Sequence, residues 1–173
     1  ASDVYKRQIE DPGKRVKALI EEDDRAAQLA RALTYQMLSY CSHVIPEIAD
    51  LPSAIDDALR WGFMHEVGPF EIWDALGAAE AAEKMKAAGF APAAWVDEML
   101  AKGFETFYQY EGDLQIGIYD PVKGEYHKFD RPEGLISLPE LKMNNKEVAR
   151  NDSASLIDLG DGIVCVEFHS KMN

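Results

Sequence analysis

Proline and glycine residues divide the first hundred positions of the chain into short segments, and this punctuation limits the fold more than any other feature. Asp11-Pro12 predicts a helix N-cap followed by proline at the first helical position, where the missing N–H costs nothing. Pro46 predicts the end of the next helix near residues 43–45. Further helix ends are predicted at four glycines: Gly62, Gly77, Gly89 and Gly103. The segments between these residues are short helices.

Apolar residues recur every three or four positions in the second of these segments, which predicts one buried helical face. The residues of that face are Ala26, Leu29, Ala30, Leu33, Met37, Tyr40, Cys41, Val44 and Ile48. Ser53 predicts the start of the following helix, with Asp56 in a position like that of a capping box. We assign four aromatic residues to the core because aromatic side chains bury large areas: Trp61, Phe63, Phe70 and Trp73.

The composition of the chain changes after Gly103. Three short β-branched or aromatic runs follow, separated by turns at residues 111–113 and 121–124, and they predict an antiparallel β-meander: residues 106–110, 114–119 and 125–129. Residues 135–151 are predicted to be a linker. Residues 155–159 and 163–168 flank Gly160-Asp161-Gly162, which predicts a hairpin. The predicted fold class is mainly α, a multi-helix domain followed by a small antiparallel β-meander and a terminal β-hairpin.

Charge and cysteine content limit the possible partners and compartments. The 173 residues carry a formal net charge of −13, which repels phosphate backbones and anionic lipids, so we expect neither nucleic acid nor a membrane as a partner. The two cysteines, Cys41 and Cys165, lie in apolar patterns without metal-ligand spacing. Together with the lack of a long apolar run, this predicts a cytoplasmic protein without a membrane span.

No residue pattern in the sequence predicts catalysis, a cofactor or a metal site. There is no GxGxxG sequence of the kind that binds a dinucleotide. His65 and Glu66 are adjacent, but a surface or capping role fits a loop between helices better than acid–base chemistry. None of the four histidines has a partner at metal-ligand spacing. We therefore predict no catalytic, cofactor-binding or metal-binding residue in this chain.

One ordered set of residues resembles the C-terminal domain of 3-hydroxyacyl-CoA dehydrogenases. The set consists of Ile55-Asp56-Asp57-Ala58, then Gly68-Pro69-Phe70, then Asp74 and Gly77. The resemblance covers residues 28–100 and implies a structural role for seven of these residues: Ile55, Asp56, Gly68, Pro69, Phe70, Asp74 and Gly77. It also implies that the catalytic His and Glu and the NAD site lie in a separate Rossmann domain.

The last residues resemble the opening strands of a crotonase, or enoyl-CoA hydratase, domain, beginning at Ser155-Leu156-Ile157-Asp158. The resemblance implies a bifunctional β-oxidation enzyme that binds acyl-CoA and uses NAD, with Rossmann and crotonase domains as partners of this chain. Such proteins commonly carry two copies of the helical domain. Here residues 31–34 read Arg-Ala-Leu-Thr and lack the Asn-Arg pair expected near substrate, which favours the second, structural copy.

The predicted boundaries follow from these resemblances. Residues 1–10 are an artefact or disordered, since residues 3–8 resemble a translated sequencing adapter. Residues 11–103 form the helical dehydrogenase domain, 104–150 the β-meander and linker, and 151–173 a truncated start of the crotonase domain. The chain alone is then an inactive fragment. The alternative is a non-enzymatic helical module for protein–protein contact, which a strand followed by GxGxxG upstream in the same gene would exclude.

Overall fold

The computed structural model describes residues 9–112, 114–129 and 134–169. The chain divides into two compact units, one made of residues 1–109 and 115–129 and the other of residues 110–114 and 130–173. The predicted artificial segment therefore lies outside the described residues, apart from Ile9 and Glu10, whose carbonyl oxygens accept hydrogen bonds from Arg15.

Six helices build most of the first unit. They are α1 (Pro12–Ile20), α2 (Arg25–His43), α3 (Pro52–Phe63), α4 (Pro69–Leu76), α5 (Ala78–Ala87) and α6 (Ala94–Ala101). The Asp11 side chain caps α1, as predicted, and Asp24 caps α2 through the amide of Ala27. Gly77 ends α4 with a φ of 88°, a backbone conformation that glycine adopts without strain. The predicted helical half of the chain is confirmed.

The buried face of α2 agrees only in part with the predicted one, since Cys41 is buried and Ala30 and Met37 pack against the core. Its buried residues are Ala27, Tyr35, Leu38, Cys41 and Ser42. Leu29, Leu33 and Tyr40 of the predicted face are 62%, 57% and 64% exposed, and Ile48 beyond the helix is 67% exposed. The helix carries large apolar residues on two stripes, and the inner stripe also uses small and polar residues such as Ser42. Counting apolar residues alone therefore placed several exposed residues on the buried face.

The start of α3 also differs from the prediction. The helix begins at Pro52, and its N-cap residue Leu51 makes no side-chain hydrogen bond. Asp56, expected to take part in a capping box at this end, is instead completely buried. The assignment of two of the four aromatic residues to the core is wrong as well, since Trp61 is 80% and Phe63 is 72% exposed.

The core of the first unit is centred on α4. Phe70 and Trp73 are completely buried, as predicted, and their ring planes are 15° apart. Phe107 packs against both rings, with centroids 5.0 and 4.9 Å away. Offset and tilted ring pairs of this kind stabilise a core beyond the area they bury.

The first sheet contributes to this same core. Its strands are β1 (Tyr108–Glu111), β2 (Leu114–Asp120) and β3 (Glu125–Lys128), in the order β1-β2-β3. The β2–β3 pair is antiparallel, with Gly117 opposite Lys128 and Tyr119 opposite Tyr126. Tyr108, Ile118 and Tyr119 are buried together with residues of the helices. The predicted meander is confirmed, and its buried side chains complete the helical core.

The second unit contains the helix α7 (Leu138–Met143) and the strands β4 (Glu147–Arg150), β5 (Ala154–Gly160) and β6 (Ile163–Phe168). β5 and β6 form the predicted hairpin around three residues with positive φ: Gly160, Asp161 and Gly162. The segment predicted to be a linker instead supplies α7 and β4, which extends the hairpin to an antiparallel sheet of order β4-β5-β6.

One face of this second sheet is apolar and exposed. Leu156 lies opposite Val166 in the β5–β6 pair, and the two side chains are 38% and 51% exposed. Val164 and Phe168 continue the same face and are 51% and 78% exposed. Ile157, which points to the other face, is completely buried. Elsewhere, none of the helices in the described ranges is long and apolar enough to cross a membrane.

Candidate functional site

Asp56 forms the centre of a buried polar cluster. Its Oδ1 accepts a hydrogen bond from the amide of Phe70 at 2.9 Å, and its Oδ2 accepts from the amide of Glu71 at 3.2 Å. The hydroxyl of Tyr108 donates to the same Oδ2 at 2.8 Å. A buried carboxylate is stable only when its oxygens are satisfied in this way. Asp56 of α3 thereby joins the first turn of α4 to β1.

Gly68 explains why this cluster can be so compact. A Cβ added at Gly68 would lie 2.2 Å from both the Cβ and the Cγ of Asp56, closer than any van der Waals contact allows. The position therefore requires glycine for close approach, since its φ of −84° is one that any residue adopts. The Gly-Pro-Phe sequence starts α4 directly over the Asp56 carboxylate.

Asp74 makes the second link between α4 and the first sheet. Its Oδ1 accepts from the amide of Phe107 at 2.7 Å, and its Oδ2 accepts from the amide of Tyr108 at 2.9 Å. Asp74 therefore bonds to the backbone that leads into β1. Its partners lie 33 and 34 positions further along the chain, a separation that helical periodicity does not reveal. We call Asp56, Asp74 and the groups that donate to them the carboxylate clamp.

Glu71 and Arg60 make further polar contacts around the clamp. Glu71 accepts the amide of Gly68 through Oε2 at 2.7 Å, and its Oε1 lies 2.9 Å from Arg60 Nη1. Gln115 of β2 donates to the same Oε1 at 2.9 Å. We did not predict these residues, although the spacing between Gly68 and Glu71 is that of a helix-capping glutamate. Nothing in the local sequence indicates the contribution of Gln115 or Tyr108.

Burial determines the proton affinity of the clamp. It raises the pKa of Asp56 to about 7, and the amide of Phe70 and the hydroxyl of Tyr108 oppose that rise by stabilising the carboxylate. Burial also raises the pKa of Asp74 to about 7, against the amides of Tyr108 and Phe107. The same burial raises the pKa of Tyr108 well above its ordinary value, so its hydroxyl stays protonated and donates to Asp56.

The clamp predicts that stability decreases as pH rises from about 4 to about 7. In this range the folded state holds protons on Asp56 and Asp74 that the unfolded state has released, so a higher pH favours unfolding. The contribution is fully present below about pH 4 and is lost as the pH passes about 7. A pKa rise from 3.8 to about 7 corresponds to roughly 4 kcal/mol for each of the two residues.

Urea denaturation of the wild type and Asp74→Asn at several pH values between about 4 and 8 measures this contribution. Asparagine keeps the shape of the side chain but cannot titrate. The free energy of unfolding of the variant should therefore fall less between these pH values than that of the wild type. Other acidic groups contribute equally to both proteins. Parallel pH curves for the two proteins would rule out titration of Asp74 in this range.

The other residues of the predicted motif have packing roles. Pro69 and Phe70 are buried in the first turn of α4, Ile55 is partly buried against the core, and Gly77 separates α4 from α5. The structure thus brings Asp56, Gly68, Pro69 and Phe70 together. Tyr108 links Asp74 to this group, since its amide donates to Asp74 and its hydroxyl donates to Asp56.

The histidines do not join this cluster. His65 is exposed, and the neighbouring Glu66 pairs with Arg15 at 3.4 Å. His43 is exposed with Nδ1 2.8 Å from the carbonyl oxygen of Ser39, and His169 Nε2 lies 3.2 Å from Ser155 Oγ. In the part of the chain that the structure describes, no three His, Cys, Asp or Glu side chains are grouped as metal ligands. The carboxylates of the clamp accept hydrogen bonds from backbone amides and so hold secondary-structure elements together.

Comparison with known proteins gives one informative similarity. No family model matches the sequence, and no solved structure matches it. A protein of Bacillus subtilis (strain 168) described as a probable 3-hydroxyacyl-CoA dehydrogenase is 46% identical over 159 residues, which is 92% of this chain. The chain spans 20% of that relative's length. The resemblance deduced from the Gly-Pro-Phe region thus extends along nearly the whole chain, which is similar to about one fifth of a probable 3-hydroxyacyl-CoA dehydrogenase.

Proposed function

We propose that this chain is a structural part of a longer 3-hydroxyacyl-CoA dehydrogenase of fatty-acid β-oxidation. The similarity to the Bacillus relative supports the family, and the 20% coverage of that relative supports a part of a larger protein. In this proposal the complete protein oxidises 3-hydroxyacyl-CoA with NAD. A fused crotonase part that hydrates enoyl-CoA is a further element of the proposal, and the resemblance of residues 155–163 to opening crotonase strands supports it.

The carboxylate clamp is the observation that carries the structural role. A general base must reach the proton it removes from the substrate. Asp56 is completely buried and accepts three hydrogen bonds from within the fold. Asp74 has both oxygens bonded to backbone amides. These carboxylates therefore hold α3, α4 and β1 together. In this proposal the chemistry belongs to the Rossmann and crotonase parts, which also bind acyl-CoA.

Arg31 supports the assignment to a second, structural copy of the helical domain. It stands where an active-site copy would carry an Asn-Arg pair near substrate. Its Nε and Nη2 instead donate to the carbonyl oxygens of Ile20 and Glu22, both at 2.7 Å. The side chain thus holds the α1–α2 connection in place.

The isolated chain should show no enzyme activity. We expect no NADH from 3-hydroxyacyl-CoA and no hydration of crotonyl-CoA above a buffer blank, because the sequence contains no dinucleotide-binding glycine motif. The complete gene product should show NAD-dependent oxidation in the same assay. A complete protein that binds neither NAD nor acyl-CoA would overturn the proposed activity.

Asp74→Ala in the complete protein separates a structural role from a catalytic one. We expect a thermal midpoint several degrees lower, since two buried amides lose their acceptor. At low temperature kcat and KM should stay within about twofold of the wild type, as for a residue remote from the transition state. A loss of kcat of about a hundredfold at an unchanged midpoint would assign the residue to the chemistry.

Exposed apolar side chains favour one second candidate, a non-enzymatic module for protein–protein contact. Trp61, Phe63 and Met64 are 80%, 72% and 91% exposed at the end of α3, and large exposed apolar groups are typical of interaction surfaces. The assay of the complete gene product distinguishes the two candidates, because a module of this class would lack NAD-dependent turnover.

A further inference from the structure

We draw no further inference here: the strongest candidate, the exposed apolar face of the second sheet formed by Leu156, Val164, Val166 and Phe168 beside the open edge of β6, carries none, because nothing in the structure shows what covers it.

Discussion

Replacing Trp73 with alanine should lower the free energy of unfolding of the first unit by about 3–5 kcal/mol, the typical cost of truncating a buried large aromatic residue. Trp73 is completely buried, and its ring lies 4.9 Å from that of Phe107 and 6.1 Å from that of Phe70. Its Nε1 also donates to the carbonyl oxygen of Ala78 at 3.2 Å. The substitution therefore leaves a cavity and removes a hydrogen bond to the first turn of α5.

Trp61→Ala is the matched control, because it removes the same side chain from a position that is 80% exposed. We expect a change within about 0.5 kcal/mol, as for surface substitutions in general. Denaturant unfolding followed by circular dichroism measures both variants without relying on tryptophan fluorescence. Equal destabilisation by the two substitutions would mean that α3 and α4 bury different faces from those described here.

Gly68→Ala should destabilise the first unit by at least about 3 kcal/mol, at the upper end of the cost of overpacking a core. The new methyl group would lie 2.2 Å from Asp56 Cγ, and Asp56 is held by the amide of Phe70 and the hydroxyl of Tyr108. Relief of the clash requires α4 to move away from α3. That movement breaks hydrogen bonds to a buried carboxylate, which adds to the steric cost.

Gly62→Ala is the matched control, because it makes the same glycine-to-alanine change at a position without close neighbours. A Cβ at Gly62 meets nothing within 4 Å, and the residue lies inside α3. Because alanine favours the helix, we expect a gain of about 0.5–1 kcal/mol. Thermal or urea unfolding of both variants gives the comparison. If Gly68→Ala were as stable as the wild type, the close packing of α4 on Asp56 described here would be incorrect.

Local sequence determined most of the elements of this protein, although it did not reveal α7 and β4. Asp11-Pro12, Pro46, Gly77, Gly89 and Gly103 predict helix ends because they change backbone hydrogen bonding or φ within a few residues. The turn at Gly160-Asp161-Gly162 predicts the hairpin for the same reason. The end predicted at Gly62 is wrong, since α3 continues to Phe63. The ordered residues Asp56, Gly68-Pro69-Phe70 and Asp74 also indicated the family resemblance, since they lie within one short stretch of the chain.

Only the tertiary structure decided which of these residues meet and which face solvent. Asp56 accepts a hydrogen bond from Tyr108, 52 positions away, and Asp74 accepts one from Phe107, 33 positions away. Helical periodicity does not encode such contacts. Trp61 is exposed and Trp73 is buried although both are tryptophans in helices. Burial depends on which elements pack against a residue from elsewhere in the chain, and a carboxylate can be buried only after those elements supply its donors.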